Sequence, residues 1–77
     1  VLDSMGWVLF RQGRFAEALA YLQRADKLGT DAEIDLHLGE VQWALGDQVA
    51  ARATWQQALE RNPEDARLKE RLDRAQP

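Results

Sequence analysis

Displaced by 33 residues, the chain matches itself at its smallest side chains. Gly6 falls over Gly39, Gly13 over Gly46, Ala18 over Ala51, Ala20 over Ala53 and Ala25 over Ala58. Val8 over Val41 and Gln23 over Gln56 are also identical, and Met5–Leu38, Phe10–Trp43 and Leu22–Trp55 keep apolar character. Chance identities would scatter, whereas these are small residues recurring at the spacing at which helices touch. A period of this length marks one supersecondary unit that cannot bury its apolar face alone and must stack on a neighbour. The repeat therefore restricts the chain to a stacked architecture before any single segment is read.

Each unit reads as two helices. Leu2, Met5, Gly6 and Leu9 form an i, i+3, i+4, i+7 stripe that Gly13 stops. Phe15, Ala18, Leu19, Leu22, Ala25 and Leu28 carry the second helix to Gly29. Thr30 and Glu33 have the spacing of a capping box, which predicts the start of a third helix bearing Ile34, Leu38, Val41 and Leu45. Gly46 is placed as its left-handed stop, and Asp47 as the cap of a fourth helix carrying Ala51, Trp55, Ala58 and Leu59. Asn62-Pro63 predicts the next start, with Asn as N-cap and Pro at the first helical position. A fifth helix, about 64–75, offers Leu68, Leu72 and Ala75 to a core, with Asp65–Lys69 and Glu70–Arg74 as i, i+4 ion pairs. No segment alternates as a strand does. Gly6 and Gly39 let the partner helix approach closely, with Ala18 and Ala51 expected to face the gap, while Trp55 fills space between neighbouring helices.

Composition closes several routes. At 77 residues and a net charge of −3 the chain is one small domain without the basic face that phosphate binding requires. It has no Cys, which excludes disulfides, thiolate metal sites and cysteine nucleophiles. The longest apolar run, Trp7-Val8-Leu9-Phe10, is too short to cross a bilayer, and Asp3 and Gly6 interrupt what a signal peptide would keep apolar.

With these residues in place, the chain resembles the tetratricopeptide repeat family, whose unit is a helical hairpin of about 34 residues. Leu2, Met5, Gly6, Leu9, Gly13, Phe15, Ala18, Leu22 and Ala25 fall on its signature positions in a first repeat. Leu38, Gly39, Gly46, Ala51, Trp55, Ala58 and Pro63 do so in a second. The second repeat departs at Asp35, where a large apolar residue is usual, and at Gln42 and Gln48; the first ends in Gly29-Thr30 without the usual Pro. The resemblance implies an all-α fold: two hairpins (repeat 1, 1–31; repeat 2, 32–65) stacked as a short right-handed solenoid, closed by a capping helix at 64–75. Because Val1 falls on the third position of a repeat, the chain is expected to begin inside a longer protein. Its first apolar face is expected to be open and to favour self-association. The run Leu2-Asp3-Ser4-Met5-Gly6-Trp7, with His37-Leu38-Gly39-Glu40-Val41 and Trp43-Ala44-Leu45-Gly46-Asp47, is also similar to the C-terminal end of large bacterial repeat proteins. Many of those are outer-membrane lipoproteins facing the periplasm. That predicts a periplasmic, outer-membrane-associated scaffold tethered by a segment upstream, the alternative being a cytoplasmic repeat protein.

Catalysis needs a positioned set of groups, and the chain offers few. His37 is the single histidine and pairs with Glu33 at i, i+4, which reads as a solvated surface pair. Ser4 has no base nearby in sequence, and the glycines are spaced as stops and crossings. The expectation is a non-enzymatic protein without cofactor or metal. In the resembled family the first helix of each pair lines a concave groove, which carries over to Asp3, Ser4, Trp7, Phe10 and Arg11, then Glu33, Leu36, His37, Glu40, Trp43 and Ala44. Trp7, Phe10, Arg11, Leu36, Glu40 and Trp43 are the expected partner contacts, since the other apolar stripes already supply a core. Packing between helices is an equal reading for Phe10 and Trp43. The family's Lys/Asn clamp for a terminal carboxylate is absent, because Asp3, Trp7 and His37 hold those positions. A partner helix or an extended apolar segment is therefore the expected ligand. Arg67, Lys69, Arg71 and Arg74 are interleaved with Glu64, Asp65, Glu70 and Asp73, so neither nucleic acid nor membrane insertion is expected. The rival readings are a purely structural end cap and a regulatory module of an upstream enzyme.

Overall fold

The computed structural model describes residues 2–29 and 31–75, with the backbone alone at 2–4. Five helices run in order: α1 (Leu2–Arg11), α2 (Phe15–Leu28), α3 (Ala32–Ala44), α4 (Gln48–Arg61) and α5 (Ala66–Ala75). Among the described residues there is no strand.

The two helical hairpins, α1–α2 and α3–α4, turn in the same way. Gly13 and Gly46 take φ of +80° and +89°, a region in which a Cβ is strained. Their N–H groups donate to the Phe10 and Trp43 carbonyls at 3.0 Å, and the next N–H, of Arg14 or Asp47, reaches back to Leu9 or Gln42 at 2.9 Å. This paired closure is a Schellman motif, and it satisfies carbonyls that the helix end leaves open.

Aspartates start α3, α4 and α5. Asp47 accepts from the Ala50 N–H at 3.1 Å, as its position predicts. Asp31 accepts from the Glu33 N–H at 2.8 Å and is the N-cap of α3, in place of the expected Thr30–Glu33 box. The helix begins at Ala32, so Asp31 is the flanking residue; Thr30 lies outside the described residues. Asn62-Pro63 does not start α5 either. Asn62 closes α4, its amide donating to the Ala58 carbonyl at 3.0 Å. Pro63 then sits inside a turn closed by the Asp65 N–H on the Asn62 carbonyl at 3.0 Å. Asp65 takes over as cap, accepting from the Arg67 and Leu68 N–H groups at 2.9 and 3.3 Å. Its ion partner is Arg67 at 3.3 Å, not the expected Lys69, while the Glu70–Arg74 pair forms as expected. The Arg67 side chain, and then these N–H groups, hold the Asp65 carboxyl below the usual carboxylate range.

Two apolar clusters hold the helices together. Leu9, Ala18, Leu22, Leu38 and Val41 join α1 and α2 to one side of α3, with Phe10, Phe15, Leu19, Tyr21 and Ile34 packed around them. Leu36, Ala51, Trp55, Ala58, Leu68 and Ala75 join α3 and α4 to α5. Helix α5 thus does for the second hairpin what α3 does for the first.

At the crossing inside each hairpin, glycine admits a large side chain. A Cβ on Gly6 would lie 2.7 Å from Leu22 Cγ, and one on Gly39 only 2.1 Å from Trp55 Nε1. Leu22 and Trp55, which correspond in the repeat, therefore occupy the gap that Ala18 and Ala51 were expected to face. The Trp55 indole N–H donates to the Leu36 carbonyl at 3.2 Å, so its polar atom is satisfied where it is buried.

Two departures from the family pattern are absorbed by α4. Gln42 accepts from the Thr54 hydroxyl at 2.6 Å. Asp35, 2% exposed, accepts from Arg61 Nη2 at 2.7 Å. Burial, and then a hydrogen bond with Asp26 of α2, push the Asp35 carboxyl up to about 6 against the opposing pull of Arg61.

Candidate interaction face

Helices α1, α3 and α5 present one continuous face of rings and charges. Trp7 sits on α1 one turn before Phe10, and their rings stack at 4.9 Å. On its other side Trp7 stacks on His37 of α3 at 4.2 Å and 19°. Phe10 also meets Phe15 at 5.4 Å, tilted by 51°, which draws it into the first cluster. Trp7 and Phe10 are accordingly half-buried rather than open, and each side chain bridges elements. The His37 side chain is 14% exposed and lies 4.0 Å from Glu33, so of the pair expected to be solvated only the glutamate stays open. Trp7 covers the imidazole. Arg11 ends α1 and is exposed. The side chains of Asp3 and Ser4 lie outside the described residues.

Charged pairs continue the face from α3 to α5. Arg67 reaches Glu33 at 3.7 Å, and Arg71 bonds Glu40 with both side chains half-buried. Two of the arginines of α5 thus reach α3. A complementary signal was present in Glu33 and Glu40, whose seven-residue spacing places both on one face of α3. What sequence could not supply was which helix would come to lie beside them.

Beyond the Glu40–Arg71 pair lies a cleft of about 270 Å³ lined by Glu40, Trp43, Trp55, Arg71, Arg74 and Ala75. Trp43 is its open wall. The ring stacks on buried Trp55 at 6.2 Å and 29° yet remains 36% exposed, so packing and exposure both hold for it. Arg74 is largely exposed at the rim, held by Glu70. Trp55, Arg71 and Arg74 were not among the expected contacts, because the cleft exists only where α5 meets the second hairpin.

Leu36 is not available to a partner. It is 6% exposed in the second cluster, covered where Leu68 and Ala75 of α5 pack with Trp55. Its position on α3 corresponds to that of Asp3 on α1 in the 33-residue repeat. Among the described residues no group of three or more His, Asp or Glu side chains is placed to hold a metal ion. None of their helices is long and apolar enough to cross a membrane.

The family model described as tetratricopeptide repeat matches residues 9–75. The chain belongs to the tetratricopeptide repeat family. It is 50% identical over 40 residues to a TPR repeat-containing protein of Pseudomonas aeruginosa, a stretch that covers 52% of this chain and 7% of that protein. The matched region is thus a small part of a much longer relative. No solved structure gives a significant match.

Proposed function

We propose that the chain is a non-enzymatic scaffold that holds a segment of a partner protein against the α1–α3–α5 face. The observation that carries this reading is the cleft beside Trp43. A large aromatic ring stays partly open although buried Trp55 lies behind it, and two arginines stand opposite. Partly desolvated aromatic and Arg side chains in a pocket have the composition of interface hot spots. Arg11, Trp7 and Phe10 extend the same face toward α1, so a helix or an extended segment can run along it. The open apolar side chains of Met5 and Val8 on α1 support self-association as a second contact. Resemblance to bacterial envelope repeat proteins supports a place in the periplasm, through a longer protein.

The end-cap reading is favoured by one observation, the complete burial of Leu68 as α5 covers the second cluster. Selection from a displayed peptide library on the immobilised chain separates the two. Scaffold binding is expected to enrich peptides whose affinity falls at least about thirtyfold on Trp43→Ala, a variant that keeps its helical circular dichroism. Peptides that bind this variant as well as the parent chain, or no enrichment at all, would contradict binding on this face.

A further inference from the structure

Asp26 of α2, Asp35 of α3 and Arg61 of α4 meet at the junction of the two hairpins. Asp35 is 2% exposed, and Arg61 Nη2 holds its Oδ2 at 2.7 Å. Asp26 lies within hydrogen-bonding reach of Asp35, and its Oδ1 is buried without a donor. Two facing carboxylates can only accept, so neither donates to the other, and two buried anions repel. A proton on Asp35 removes the repulsion and lets its carboxyl donate to Asp26.

We propose that Asp35 holds a proton toward Asp26, which clamps the first hairpin to the second and whose loss loosens their packing. The charged groups that bear on Asp35 are Asp26 from α2 and Arg61 from α4. Arg61 compensates one negative charge, so the neutral cluster holds one carboxylate, one carboxyl and one guanidinium. Removing the proton leaves a net negative charge between α2 and α3. The device is independent of any ligand on the α1–α3–α5 face.

The direction follows from linkage. The folded carboxyl binds its proton up to about pH 6, above the ordinary value of 3.8 that it has when unfolded. The stabilisation is therefore complete below the unfolded value and is lost as pH rises through about 6. Melting temperature should rise by roughly 4–8 °C between pH 7.5 and pH 5. In Asp35→Asn the amide donates to Asp26 and its carbonyl accepts from Arg61, reproducing the protonated arrangement at every pH. That variant should melt at pH 7.5 close to where the parent chain melts at pH 5, with little slope. Asp26→Asn should flatten the profile too, since its amide donates to the Asp35 carboxylate.

A second readout follows hairpin separation. The chain has no Cys, so Gln23→Cys and Gln56→Cys, exposed equivalent positions on α2 and α4, accept spin labels uniquely. The label separation should be longer at pH 7.5 than at pH 5 in the parent chain and unchanged in the Asp35→Asn background. A parent melting temperature that is flat or falls between pH 7.5 and pH 5 overturns the proposal. So does a slope equal to that of Asp35→Asn.

Discussion

Gly39 and Trp55 show how one missing Cβ sets a helix crossing. Nothing larger than a hydrogen fits at residue 39, because the Trp55 indole lies where a Cβ would be. The same geometry at Gly6 and Leu22 is milder, since an isobutyl side chain can shift where a bonded indole cannot. Gly39→Ala should therefore cost about 1–3 kcal/mol or more through overpacking, and Gly6→Ala distinctly less. Urea denaturation of the two variants checks the order; equal costs would show that the indole gives way as easily as the leucine. The glycines themselves were legible in the sequence because they recur at one period. Their partners were not, because the repeat aligns Ala18 with Ala51 as well as Leu22 with Trp55 and cannot tell which pair occupies the gap. Leu36 was misjudged for a related reason. A helix wheel shows which way a side chain points but not that a later helix will cover it.

Local chemistry decides the ends of elements, and there the sequence was informative in proportion to how local each decision is. Gly13, Gly46 and Asp47 act within one turn, and each holds the position expected of it. The start of α5 was misplaced because Asn62-Pro63 is itself a good start signal. The outcome was set by distant packing: Leu68 must reach the second cluster, and α5 begins where Asp65 can cap it on the way. Arg52 of α4 then holds the far end, donating to the Ala75 carbonyl at 3.1 Å. Leu68 is fully buried, so Leu68→Ala should cost about 2–5 kcal/mol. It should also expose the Trp43–Trp55 stack, read as a red shift and loss of structure in tryptophan fluorescence. A cost under about 1 kcal/mol would mean that α5 contributes little to the second cluster.

For the whole molecule, the repeat fixed the architecture, since two like units of helix can bury their apolar faces only against each other. The α1–α3–α5 face proposed for partner binding was legible in part: Trp7, Phe10, Glu40 and Trp43 lie on that surface, while the Arg71–Arg74 wall depends on how α5 closes the stack. Its partner is not written in 77 residues, because an interface records the chemistry it accepts rather than the molecule that supplies it. The central claim concerns that face, and amide and indole chemical-shift mapping with a library-selected peptide tests it most directly. The account expects the Trp43 indole signal and amides near Glu40, Arg71 and Arg74 to move together on titration, with those of Gln23 and Gln56 unmoved. Shifts confined to the outer surfaces of α2 and α4, with the Trp43 indole unchanged, would contradict it.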